Sequence, residues 1–416
     1  MSTKRSAAQS TRPRPAPRIP ARAPRRGLLS FAVRLRGTIA LLVALCLALT
    51  AANFVSEPRP NAVSALQGTS GTAGFELYTL QRDISYDGAG KKKPDTIRGT
   101  NIIDSGDGSV ILTANRIQEY AALPNALAAV TINEDNTTSL DIVPLSGGPE
   151  AQVPLPGPGQ VELLRAASKG LIGFAFSSAS PSQQHHKTLF VYDIEDPSTP
   201  PREIRGPDGK AVSVLNWDFV PGTSSLVVRN DSSAMFLVDA LNAGKPAPLG
   251  LHTEFRGFIP GTREVHVVDP GSDPTDKIGK NSGIDLTKGT VRPLDLKAVV
   301  RNDNSWPGTT VLLNGSGRYV QSISNFAAGK VTSILTVTDA TGSSNLFEPE
   351  PAWSRIQNYC PSPDGKFLAV EATAPDGAYD RYPVAAAYSP MRTEIIELDT
   401  GRHVRSFPGF LPSWCG

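Results

Sequence analysis

Histidines and carboxylates are the first residues in this chain to question for chemistry, and there are five of the former. His185 and His186 are adjacent in Ser180-Pro181-Ser182-Gln183-Gln184-His185-His186-Lys187. Neighbours on an extended chain point to opposite faces, and no C-x-x-C or H-x-x-x-H spacing adds ligands, so the pair reads as a polar loop tip. Asp269, Asp273 and Asp276 could meet a calcium ion, but the stretch lacks the closing Glu of an EF-hand and reads as a solvated loop. Neither a metal site nor a cofactor is expected. His252, His266 and His403 have no carboxylate at a telling spacing, and the chain has no G-x-S-x-G and no glycine-rich phosphate loop. Residue types suited to recognition gather instead in Ala372-Thr373-Ala374-Pro375-Asp376-Gly377-Ala378-Tyr379-Asp380-Arg381-Tyr382-Pro383. Tyr379, Arg381 and Tyr382 are the binding candidates there, the alternative being a surface insertion packed on its own unit.

The charge is distributed unevenly. Of the 41 Lys and Arg, ten lie in residues 1–36, which hold no acid, and residues 37–55 hold no charge. Residues 56–416 carry 31 basic against 39 acidic groups, a net of −8. Such a body lacks the clustered cations that phosphate neutralisation requires, so no nucleic-acid partner is expected. The 18 uncharged residues 38–55, at about 1.5 Å each, just cross a hydrocarbon core of about 30 Å. They read as a membrane helix behind a disordered Pro/Arg-rich tail. The positive-inside rule places that tail in the cytoplasm and the remainder outside. Arg25-Arg26-Gly27-Leu28-Leu29 resembles a twin-arginine export motif, and Thr50-Ala51-Ala52 and Val63-Ser64-Ala65 offer cleavage sites. The long basic tail favours an uncleaved anchor over a secreted product. Cys46 lies in the apolar segment without a lipoprotein box, leaving Cys360 and Cys415 to form a disulfide in an oxidising compartment, the alternative being two unrelated buried thiols.

The organisation reads as a tail (1–36), an anchor or signal segment (37–55), a linker (56–73) and an extracytoplasmic domain (74–416). In that domain, short runs of Val, Ile, Leu, Phe and Thr lie between Gly, Pro, Asp and Asn, an all-β pattern. Six times a Gly-bearing turn precedes an apolar run: Asp107-Gly108, Lys169-Gly170, Pro221-Gly222, Pro260-Gly261, Gly315-Ser316-Gly317 and Asp364-Gly365. Each is followed by a further strand ending in a turn, such as Ile395-Ile396-Glu397-Leu398-Asp399-Thr400-Gly401. A period of about 40 to 60 residues is that of a four-stranded propeller blade.

The unit Ser362-Pro363-Asp364-Gly365-Lys366-Phe367-Leu368-Ala369-Val370, with its closing Asp399-Thr400-Gly401, resembles the repeat of TolB-like and WD-repeat-like β-propellers. Trp217-Asp218-Phe219-Val220-Pro221-Gly222 follows it less fully. The resemblance implies a scaffold used for binding, and the same repeat also gates certain peptidases. A peptidase would need about 200 further residues of alternating strand and helix, for which the chain has no room. Phe410-Leu411-Pro412-Ser413-Trp414-Cys415-Gly416 resembles an entering strand cut short, and Gly74–Leu80 can partner it. The expectation is therefore seven blades, one of them shared, with six as the alternative count. For function, the expectation is a membrane-anchored binding or assembly module of the cell envelope with a protein or envelope-polymer partner. The alternative is an envelope hydrolase or lyase whose site draws single residues from several blades around the central channel.

Overall fold

The computed structural model describes residues 76–416, apart from 83–92, 103–107, 168–169, 180–185, 243, 272–277, 300–304, 316, 328, 380–387 and 416. The tail 1–36, the segment 37–55 and the linker 56–73 lie outside the described residues. Among the described residues no helix is long and apolar enough to cross a membrane.

Seven antiparallel sheets follow one another along the chain, six of four strands and one of three. Blade 1 holds Leu77–Gln81, Asp95–Thr100 and Ser109–Ala114. Blade 2 starts at Ile117–Ala122, blade 3 at Gly159–Ala166, blade 4 at Val214–Phe219 and blade 5 at Glu254–Phe258. Blade 6 runs from Ser305–Leu312 to Gly342–Phe347, and blade 7 from Arg355–Pro361 to His403–Pro408. The chain is a seven-bladed β-propeller.

Local chemistry explains the repeat. In blade 7 the Ser362 hydroxyl donates to Asp364 Oδ1 at 2.6 Å and accepts from the Phe367 amide at 3.0 Å. Gly365 takes φ of 69°, where a side chain would be strained. The aspartate at the end of the third strand acts in the same way. Asp285 accepts from the Thr287 and Lys288 amides at 2.8 and 3.0 Å. These hydrogen bonds hold its carboxyl below the usual carboxylate range.

The structure corrects one of the six units. Ser109–Ala114, behind Asp107-Gly108, is the outer strand of blade 1 and pairs with Asp95–Thr100. The first hairpin of blade 2 turns without glycine, the Leu123 amide bonding the Ala126 carbonyl at 2.9 Å. Its second strand, Ala126–Ile132, is four parts in seven buried alanine and leucine, which hides it among apolar runs.

Neighbouring blades meet through apolar faces, as in any stack of amphipathic sheets. Trp217 of blade 4 is 1% exposed and packs edge-on against Phe219. Gly173 of blade 3 makes room for it, since a Cβ there would lie 2.3 Å from the indole. The ring closes through residues 409–415. Leu80 and Phe410 exchange two backbone hydrogen bonds of 2.9 Å, so that Phe410 supplies the inner edge of blade 1. Tyr120 of blade 2 donates to the Leu411 carbonyl at 2.6 Å, and Ser413 Oγ accepts from the Ala122 amide at 3.1 Å. Closure by both ends of the domain leaves no bare sheet edge at the seam.

Candidate functional site

Inner strands of the six complete blades share one irregularity. Their pairing with the second strand slips between Ile117 and Glu119, Glu162 and Arg165, Val214 and Asn216, Phe255 and Gly257, Pro307 and Thr310, and Ile356 and Asn358. A bulge re-aims the side chains beside it. Here they span to the next blade: Gln118 Nε2 donates to the Val161 carbonyl at 2.7 Å, Asn216 Nδ2 to the Phe255 carbonyl at 3.1 Å, and Arg256 Nη1 to Thr309 Oγ1 at 3.1 Å. In the opposite sense, Tyr359 of blade 7 accepts the Ser322 amide of blade 6 at 2.9 Å.

Within this belt, acidic groups from blades 2 and 4 lie in the field of one cation from blade 3. Burial pushes Glu119 up to about 7, with Arg165 opposing the shift. Burial also raises Asp218, again against Arg165. Glu119 Oε1 has no hydrogen-bond partner. Glu371 of blade 7 is 5% exposed and is likewise pushed up to about 7 by burial, against the Leu411 amide that donates to it at 2.5 Å. Nothing in the spacing of these residues announces them. His252 and His403 also gain carboxylates that the sequence does not suggest, Asp269 at 2.9 Å and Glu394 at 2.7 Å. His266 is buried against Asn281 at 2.7 Å, and burial lowers its pKa. His186 is exposed, while His185, Asp273 and Asp276 lie outside the described residues.

A second feature comes from strand length. The central strands of blades 2 to 5 have six to eight residues. Those of blade 6, Tyr319–Ala327 and Lys330–Asp339, have nine and ten. Those of blade 7, Phe367–Tyr379 and Tyr388–Glu397, have 13 and ten. The inner strand of blade 7 stops pairing at Thr373, whereas the hairpin ladder resumes at Ala378–Ser389 and Tyr379–Tyr388. Two neighbouring hairpins thus reach past their own inner strands. Between them lies a groove of about 800 Å³, walled by Thr332 and Ser333 of blade 6, by Glu348 to Pro351 of the connection, and by Pro375 of blade 7. Phe326, on the blade 6 hairpin, is 54% exposed.

The stretch 372–383 is therefore partly strand, because its backbone continues the ladder of Phe367–Tyr379. Arg381 and Tyr382 lie outside the described residues, as does the side chain of Tyr379. Cys360, on the inner strand of blade 7, is disulfide-bonded. Cys415 closes a short 3-10 turn, Ser413–Cys415. Among the described residues no group of three His, Cys, Asp or Glu is placed to hold a metal ion.

Solved structures similar to this chain include a prolyl endopeptidase and two TolB proteins. A prolyl endopeptidase matches with a TM-score of 0.52 at 11% identity, over 84% of this chain and 52% of its own. The match is one of fold alone. This chain thus spans about half the length of that peptidase chain. A putative TolB from Agrobacterium tumefaciens matches at 13% identity and TM-score 0.36, over 81% of this chain and 91% of its own. TolB from Acinetobacter baumannii matches at 13% identity and TM-score 0.39, over 83% of this chain and 66% of its own. The propeller fold that the Ser-Pro-Asp-Gly unit implied is the fold observed, in seven successive antiparallel sheets. No protein-family model and no curated protein matches the sequence.

Proposed function

We propose that this chain is an extracytoplasmic β-propeller, anchored through residues 38–55, that serves as a binding or assembly module of the cell envelope. The observation that carries this reading is the pair of long hairpins on blades 6 and 7 with a groove of about 800 Å³ between them. Extended hairpins beyond the ring add nothing to its core, so their length calls for another role. The basic tail, the uncharged segment 38–55 and the acidic remainder support the anchored topology. Cys415 is the proposed partner of the disulfide-bonded Cys360. A protein partner captured by the full chain in detergent should be lost when the blade 7 hairpin is shortened by replacing residues 374–390 with a two-residue turn. An unchanged set of partners would overturn the assignment of this face.

Glu119 and Asp218 around Arg165 support a second reading, an envelope hydrolase or lyase with its site in the channel. Two acids, both raised by burial and both opposed by one guanidinium, could share proton transfer there. In that case Glu119→Gln should abolish turnover of an envelope polysaccharide and leave partner capture intact. Absence of turnover in the unaltered chain sinks this reading.

A further inference from the structure

The third strand of blade 6 has an open edge. Its outer neighbour, Gly342–Phe347, pairs only from Leu335 onward, so residues 330–334 pair with Tyr319–Ala327 on one side and have no strand on the outer side. One amide on that edge is spoken for: Ser333 N–H donates to the Ser354 carbonyl at 2.6 Å. In an antiparallel ladder the amides of alternate residues point the same way, so the N–H and C=O of Val331 face outward with that of Ser333. The groove reaches this edge through Lys330, Thr332, Ser333 and Ile334, which flank Val331, and extends over Ile323 and Asn325 of the second strand.

Its opposite wall is rich in acceptors. Pro349 and Pro351 have no amide hydrogen to offer, and the residues between and before them are Glu350 and Glu348. Both glutamates are exposed, and neither has an ion-pair partner among the described residues. Lys330 is the single cation of the lining. A ligand for such a groove must bring donors and positive charge, and its backbone must be extended to meet the edge at Val331.

We propose that the groove takes an extended, lysine- or arginine-bearing segment of a partner protein, which adds a strand at Val331 and sets its cations against Glu348 and Glu350. Backbone pairing supplies the attachment, and the carboxylates select for charge, as in other cases of strand addition to a free sheet edge. This deepens the binding-module reading and rests on it.

The test uses the full chain and a fluorescein-labelled octapeptide of alternating valine and lysine, followed by anisotropy. Binding should weaken about tenfold in the double variant Glu348→Gln/Glu350→Gln. It should be unaffected in Glu134→Gln/Glu150→Gln, which removes the same charge from exposed positions on blade 2. The same octapeptide N-methylated at alternate residues, and a valine–glutamate octapeptide, should not bind. Equal affinity of the unaltered chain and the first variant, or undiminished binding of the N-methylated probe, overturns the proposal. A natural partner lost on shortening the blade 7 hairpin yet kept by Glu348→Gln/Glu350→Gln overturns the basic strand and leaves the binding face standing. A partner kept by both overturns the face itself.

Discussion

A chain cut after Pro408 is expected to unfold about 10 °C or more below the whole chain. The cut removes the two Leu80–Phe410 backbone bonds, the Tyr120 bond to Leu411, the Glu371 bond to the Leu411 amide and the Ser413 bond to Ala122. Each is worth about 1 kcal/mol net. Phe410, 5% exposed, adds about 2 kcal/mol of buried apolar surface. Together these approach about 7 kcal/mol, a large share of what holds a domain folded. At a few degrees per kcal/mol the shift is large enough for calorimetry to read. Hydrogen exchange locates the effect: amides of Leu77–Gln81 should lose protection first, because their inner neighbour is gone. Unchanged melting and unchanged protection of that strand would show that the seam does not hold the ring.

The second large effect concerns pH. Glu371 is pushed up from an ordinary 4.5 to about 7 because burial disfavours its charge. Between those values the folded chain keeps a proton that the unfolded chain has lost, so stability is highest at or below about pH 4.5 from this group and falls as pH rises to 7. Above 7 both forms are ionised and the loss is complete, on the order of 3 kcal/mol. Glu119 pulls in the same direction. Glu371→Gln keeps an acceptor for the Leu411 amide and removes the titration. Its melting temperature should fall less between pH 5 and pH 8 than that of the unaltered chain, and at pH 8 it should be the more stable of the two. Parallel profiles would show that Glu371 does not titrate in this range.

Strand and turn chemistry made most of the architecture readable in advance. Ser362-Pro363-Asp364-Gly365 and the aspartates that end third strands carry their hydrogen bonds locally, within a few residues, so each copy leaves a visible mark. Phe410 and Leu80 could be matched because a propeller needs an even closure. Asp107-Gly108 misled because the apolar run behind it, Ser109–Ala114, is the outer strand of its blade and reads in sequence like an inner one. The polar belt was not readable at all. Glu119, Arg165 and Asp218 come from three blades, and only ring geometry brings them into one field. His252 and Asp269 likewise meet across the junction of blades 4 and 5, at a spacing no motif records. The stretch 372–383 stood out by composition, but composition gave no sign that its backbone continues the ladder.

Closure by residues 409–411 also sets an order of events during synthesis. Leu77–Gln81 is among the earliest strands to be made, and its inner neighbour Phe410 arrives more than 300 residues later. Until then a strand with four of five residues buried in the finished ring has one edge uncovered. Ribosomes add about 5 to 20 residues per second, so that edge waits for tens of seconds. Blade 1 therefore gains its inner edge only once Phe410 has been made, and the ring closes last at this seam.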